Sequence, residues 1–388
     1  MPPAASQQPV VDFMFFDAGG GHRSAATALE AMIKQQQRPW QVRLVNFQEV
    51  MEPLDVFKKV TGIRLEDIYN LMLAKGWTLG SAQGLKFIHA VSWVIHGSQV
   101  KFMTRHWQET KPSMVVSVVP NFNRVMYEAL RAVNPKIPYV TILTDMADYP
   151  PHFWIERDQD QWLVCGTDRA VKQAIELGHP KNRIFATSGM ILRPKFYDPI
   201  QVDRAAERTN LGLDPSLPTG IVLFGGQGSN AMLDIARKVG ASGLRVQLIF
   251  ICGRNQSLAA KLRALKLDIP FHVVGFTGEV PTFMHLSDFL IGKPGPGSIS
   301  EALHMKLPVI IERNAWTLPQ ERFNADWVIE KQVGVVLKNF NKIDAAVGQL
   351  LGPGILEKYR TNATAIQNRA IFEIPDILAE IATKTSAF

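Results

Sequence analysis

Short apolar runs alternate along this chain with stretches of helical spacing. Val11–Phe16, Val42–Phe47, Met114–Val119, Tyr139–Thr144, Trp162–Cys165 and Arg183–Thr187 each have the length and β-branched content of a buried strand. Between several of them, Ser24–Gln36, Arg124–Val133 and Arg169–Leu177 carry apolar residues three and four apart, as a helix packed on a sheet does. Such alternation predicts a parallel sheet covered on both faces. The rhythm breaks at Arg193-Pro-Lys-Phe-Tyr-Asp-Pro199, a proline-bounded linker, and restarts after a short helix, Arg204–Leu211. The second set of strands is Ile221–Phe224, Val246–Ile251, Phe271–Val274, Phe289–Ile291, Val309–Ile311 and Val335–Leu337. The expected fold is α/β, with doubly wound Rossmann-like domains over residues 10–198 and 199–355, and a closing helical segment over 356–388 around Asp376–Ile381.

The stretch 56–107 departs from the rhythm. It reads as a helical insertion in which Trp77, Trp93 and Trp107 are interleaved with Lys58, Lys59, Arg64, Lys75, Lys86, Lys101 and Arg105. Tryptophan and basic side chains on amphipathic helices describe a segment lying in a bilayer interface, so Trp77, Trp93, Lys86 and Lys101 are the membrane or acceptor candidates. The net charge of +7 over 388 residues points the same way, towards an anionic surface; nothing in the chain carries a nucleic-acid-binding signature. Two cysteines, Cys165 and Cys252, end apolar runs and read as buried thiols of a reducing compartment. Met1–Pro9 lacks the basic and apolar parts of a secretory leader, and no apolar run reaches the ~18 residues of a membrane span. The expected location is the cytoplasm, peripherally on the inner face of the cell membrane.

Candidate chemistry concentrates at strand-to-helix turns. Gly292-Lys-Pro-Gly-Pro-Gly-Ser-Ile-Ser-Glu301 joins a buried strand to a helix through a bare, stiff backbone. Glycines let main-chain N–H groups approach an anion, and a helix start directs unpaired donors and a positive dipole end at it. Gly295, Pro296, Gly297 and Ser298 are therefore expected to line a pyrophosphate, with Glu301 one turn further on at ribose distance. The turn is neither a Walker loop nor a strict dinucleotide fingerprint. Glycine turns also follow the first strand of each domain, at Ala18-Gly-Gly-Gly21 and at Gly225-Gly-Gln-Gly-Ser-Asn230. Ligands of open α/β sheets sit beyond the carboxyl ends of strands, so two facing domains are expected to gather these turns around a central cleft.

Taken in order, Phe16-Asp-Ala-Gly-Gly-Gly-His-Arg23, Gly253-Arg-Asn255, Gly275-Phe276, Lys293-Pro-Gly-Pro-Gly297 and Gln320-Glu321 with Asn324 resemble the monogalactosyldiacylglycerol synthase family, which includes processive diacylglycerol glucosyltransferases. The resemblance implies a GT-B fold of glycosyltransferase family 28 and an inverting enzyme. It also implies a UDP-sugar donor, a diacylglycerol acceptor at an anionic membrane surface, and no metal or other cofactor. It places Gly21 and His22 near the donor, Arg193 on the diphosphate, and Gly228 and Ser229 beside it. Phe276 falls beside the uracil, Glu301 near the ribose, and Gln320 and Glu321 near the sugar, with Asn324 also among the donor-binding residues. Two departures fall on the acceptor side: Ser117-Val-Val-Pro120 lacks the family's histidine, and Met146-Ala-Asp-Tyr-Pro-Pro-His152 shifts another.

Transfer to a hydroxyl needs one base, for which Asp17, His22, Asp145 and His152 are the candidates. Asp17 could equally cap the following helix. Asp158-Gln-Asp160 matches the metal motif of a different glycosyltransferase fold but lacks its context and reads as loop carboxylates, while His89 and His96 have no carboxylate close in sequence. Rival readings are a UDP-GlcNAc-dependent transferase acting on a lipid-linked glycan or lipid A-type acceptor, a UDP-sugar 2-epimerase, and a non-catalytic nucleotide-sugar sensor.

Overall fold

The computed structural model describes residues 8–17, 20–54 and 81–388; of residues 54 and 81–94 it describes the backbone. The chain divides into two compact units, which pass one into the other between Pro194 and Lys195; the stretch Arg369–Phe388 returns to the first.

The sheet of the first unit has six parallel strands in the order β2-β1-β3-β4-β5-β6. They are β1 (Val10–Phe15), β2 (Gln41–Asn46), β3 (Met114–Ser117), β4 (Tyr139–Ile142), β5 (Trp162–Cys165) and β6 (Ile184–Ala186). Helix α1 (Gly21–Gln35) follows β1. The chain runs to one side of β1 for β2 and to the other for β3, which makes the C-terminal ends of β1 and β3 a topological switch point. β1, β3, β4 and β5 are buried almost throughout, as strands covered on both faces must be. Asp12 in β1 is a buried exception, held by Arg43 of β2 at 2.6 Å.

The second sheet repeats the device with the order β12-β11-β10-β7-β8-β9, all parallel. Its strands are β7 (Thr219–Leu223), β8 (Gln247–Ile251), β9 (Phe271–Val274), β10 (Phe289–Gly292), β11 (Val309–Glu312) and β12 (Gly334–Leu337). Its switch point lies between β7 and β10.

Three expectations change. Helix α1 begins at Gly21 and not near Ser24, because Gly20 takes φ 78° and turns the chain at once, so that Ser24 N reaches Gly20 O at 3.1 Å. The 356–388 segment holds two helices, Ile355–Ala365 in the second unit and Ala370–Thr385 in the first, where it packs against α1. The long helix Ser81–Thr110 ends in the core: Trp107 is fully buried among Met14, Phe47, Met103 and Met126, which removes it from any interfacial role.

Candidate active site

In the first unit the early start of α1 places His22 in its first turn, at the β1/β3 switch point. His22 Nδ1 lies 3.2 Å from Thr144 Oγ1, just past the end of β4. The His22 ring packs on the Trp154 indole, with centroids 5.9 Å apart. The residue is only half-buried, but desolvation of the ring lowers its pKa from 6.5 to about 4, against a weaker upward pull from a hydrogen bond to the Val118 backbone beyond β3. The imidazole is therefore neutral at pH 7, and its burial opposes the charge that taking up a proton would create.

Asp145 is buried beside this ring system, and Trp154 Nε1 donates to its Oδ2 at 2.9 Å. The loop carrying Trp154 is built around Asp148, whose carboxylate accepts from the Trp154 backbone N–H at 2.6 Å and from that of His152 at 3.0 Å. Burial raises the Asp148 pKa, and those two backbone donors oppose it. The His152 ring lies with Nδ1 3.2 Å from the Ile155 carbonyl oxygen, within its own loop. Asp17 does not cap α1, whose cap position is Gly20. It forms a two-pronged, partly exposed pair with Arg23, at 2.9 and 2.6 Å. Gly21 opens α1, and among the described residues nothing outside its chain neighbours and its own helix backbone lies within 4 Å of where a Cβ would stand. Arg193 is half-buried at the end of the first unit, ahead of the 3-10 turn Pro194–Tyr197.

In the second unit the two glycine turns meet at the β7/β10 switch point. After β7, Gly225 (φ 75°) and Gly228 (φ 62°) are left-handed, and Gly253 (φ 57°) follows β8 against them. A Cβ on Gly253 would stand 2.2 Å from Gly226 O. Ser229 follows this turn and accepts from Ala231 N at 3.3 Å through Oγ. After β10, Gly295 is the cap of a helix spanning Pro296–His304, with Pro296, Gly297 and Ser298 in its first turn and Glu301 half-buried further along. Proline at the first helical position removes a donor the helix does not use, and the N–H groups after it stay available.

The segment after β11 closes on this cradle. Lys293 Nζ pairs with Glu321 Oε1 at 3.0 Å, and Asn324 Nδ2 donates to Pro294 O at 2.7 Å. Two buried acceptors here, Gln320 Oε1 and Asn324 Oδ1, have no hydrogen-bond partner among the described residues. Buried acceptors of this kind call for a donor, and sugar hydroxyls are donors. Phe276, just past β9, is 68% exposed with the Arg254 guanidinium 5.1 Å from its ring centroid, a flat face open to a base.

The sequence reading missed Thr144, Trp154 and Lys293 as functional residues; only Lys293 had a local signal, its place inside the glycine-rich turn. Of the membrane candidates, Lys101 is exposed. Trp77 lies outside the described residues, and Lys86 and Trp93 belong to a described helix whose side chains there are not. His96 does have a carboxylate partner, Glu128 at 2.7 Å, and Asp160 is paired with Arg183 at 2.6 Å.

The comparisons with known proteins agree with this layout. The family model for monogalactosyldiacylglycerol (MGDG) synthase matches residues 22–190, and that for the glycosyltransferase family 28 C-terminal domain matches residues 220–314. A probable monogalactosyldiacylglycerol synthase of Glycine max is 28% identical, over 95% of this chain and 71% of that protein. Monogalactosyldiacylglycerol synthase 1 of Arabidopsis thaliana is 27% identical, over 99% and 73%. Among solved structures, Acinetobacter baumannii MurG superposes with a TM-score of 0.60 at 12% identity, over 96% of this chain and all of that one. Anabaena HepE in complex with UDP-glucose gives 0.55 at 16% identity, over 96% and 99%. At such identities these structures speak for the fold, which is GT-B. Carrying the two family domains in order, the chain is a UDP-sugar glycosyltransferase that resembles the monogalactosyldiacylglycerol synthases over most of its length.

Proposed function

We propose that this protein moves a hexose, galactose or glucose, from a UDP-sugar to diacylglycerol at a membrane surface, with inversion at the anomeric carbon. The observation that carries the donor half is the β7/β10 switch point. Glycine turns and a helix N-terminus suited to a diphosphate lie beside Glu321 and the unpartnered acceptors of Gln320 and Asn324, suited to sugar hydroxyls. The acceptor half draws on the match of residues 22–190 to the synthase family and on relatives named for that activity.

In the transfer, the acceptor hydroxyl oxygen attacks the anomeric carbon as the bond from that carbon to the UDP oxygen breaks. The hydroxyl proton goes to a base in the first unit, for which neutral His22 is the first choice and Asp145 the second. UDP leaves with its charge met by the N–H groups of the Pro296–His304 helix start, and without need of a divalent ion. Among the described residues no helix is long and apolar enough to cross a membrane. Docking of the protein on an anionic cytoplasmic leaflet through the basic 56–107 segment supplies the lipid. Mass spectrometry of lipid extracts from cells expressing the chain tests the proposal: hexosyl-diacylglycerol should accumulate, and should be absent with His22→Ala. Its absence with the active chain, or a product carrying N-acetylhexosamine, refutes it.

A further inference from the structure

A site that holds both a diphosphate and a carboxylate has an electrostatic problem. Glu321 is 7% exposed and opens the helix Arg322–Glu330 against the glycine-rich turn at which a diphosphate is expected. An anion buried there repels the leaving UDP unless a cation stands with it. The cation is Lys293, which lies in the turn itself, 3.0 Å from Glu321 Oε1.

The surroundings fix that pair. A Cβ on Gly225 would stand 3.9 Å from Lys293 Cε, and one on Gly295 would stand 3.4 Å from the same atom and 3.6 Å from Glu321 Oε1. The lysine stem thus runs between the two glycine turns, with its ammonium turned to the carboxylate. The bond from Asn324 Nδ2 to Pro294 O at 2.7 Å joins the start of the 322–330 helix to the same turn, so turn and carboxylate keep one register.

We propose that Lys293 is the positioning and charge-compensating residue of the donor site: it neutralises Glu321 towards the diphosphate and leaves the second carboxylate oxygen, Oε2, to accept from a sugar hydroxyl. The inference rests on the donor reading above. It makes Glu321 usable as a sugar acceptor beside phosphate, and it makes the effect of losing Lys293 depend on whether Glu321 is charged. That dependence separates it from a lysine contacting the phosphates directly, whose loss no change at Glu321 would repair.

Calorimetry with UDP, and steady-state kinetics with UDP-galactose and UDP-glucose on diacylglycerol vesicles, read the difference in the full chain. Lys293→Gln should weaken UDP about ten- to a hundredfold, because a buried carboxylate is left uncompensated beside the ligand. Glu321→Gln should bind UDP at least as well as wild type, yet lose turnover. The double variant Lys293→Gln/Glu321→Gln should recover UDP affinity to about wild type while turnover stays low, and Lys293→Arg should keep both. Equal thermal midpoints across the set guard against misfolding. Wild-type UDP affinity in Lys293→Gln overturns the proposal, as does a double variant that binds no better than the single one. Failure of the wild type itself to bind UDP would instead remove the donor reading, and this inference with it.

Discussion

The turn between β7 and the following helix can be perturbed at one atom. Gly253 is left-handed at φ 57°, and a methyl group there would stand 2.2 Å from Gly226 O and 2.6 Å from Gly226 C. Carbon and oxygen need about 3.3 Å, so in Gly253→Ala the 225–228 turn must retreat by about 1 Å. The left-handed backbone costs an alanine about 1–2 kcal/mol. The retreat also strains the bond from Arg254 N to Gly226 O, now 2.9 Å long, worth about 1 kcal/mol. Together these give about 2–3 kcal/mol, or roughly 4–12 °C in the melting of a unit of this size. Gly212→Ala is the control: φ is 74° and, among the described residues and apart from its chain neighbours, nothing lies within 4 Å of the new Cβ, so it bears the backbone cost alone. Thermal melts with and without UDP, and UDP calorimetry, decide the matter. Gly253→Ala should melt lower than Gly212→Ala and bind UDP at least about tenfold more weakly, since the displaced turn faces the diphosphate. Equal melting of the two variants with unchanged UDP affinity would refute the reasoning.

Further expectations follow from the first unit. The folded protein holds the His22 pKa at about 4 against 6.5, so between those values the unfolded chain binds more protons and acidification removes stability. His22→Asn should flatten the urea-unfolding profile from pH 6.5 down to 4, by at most about 3 kcal/mol; a profile parallel to wild type would show the ring to be solvated. Trp154→Phe deletes the donor to Asp145 and should lower turnover about tenfold or more with UDP affinity intact; unchanged turnover would leave Trp154 a packing residue. Trp107→Ala should cost about 3–5 kcal/mol in urea unfolding, a core effect that a membrane-facing indole would not give.

The β/α rhythm was legible because parallel strands buried on both faces are continuous apolar runs, and Trp162–Cys165 and Phe271–Val274 have the bounds their apolar runs indicate. The start of α1 was not, since only the φ of Gly20 reveals that the helix begins before Ser24 and brings His22 with it. Trp107 misled for a related reason: a tryptophan among lysines has the same composition whether it faces lipid or the sheet, and only the packing against Met14 and Phe47 decides. Thr144 and Trp154 escaped because their partner, His22, is more than a hundred residues away along the chain in each case, a separation at which sequence spacing carries no geometry. Lys293 stood inside the motif but found its meaning only with Glu321 against it.

The central claim is transfer from a UDP-sugar to diacylglycerol, and it is tested most directly with the purified chain, UDP-galactose or UDP-glucose, and anionic vesicles with or without diacylglycerol. UDP and hexosyl-diacylglycerol should appear in equal amounts, only when diacylglycerol is present, with the β anomer formed from the α-linked donor and with the rate unchanged by EDTA. Release of UDP without diacylglycerol, or vesicles that stay free of glycolipid while UDP binds, would contradict the account.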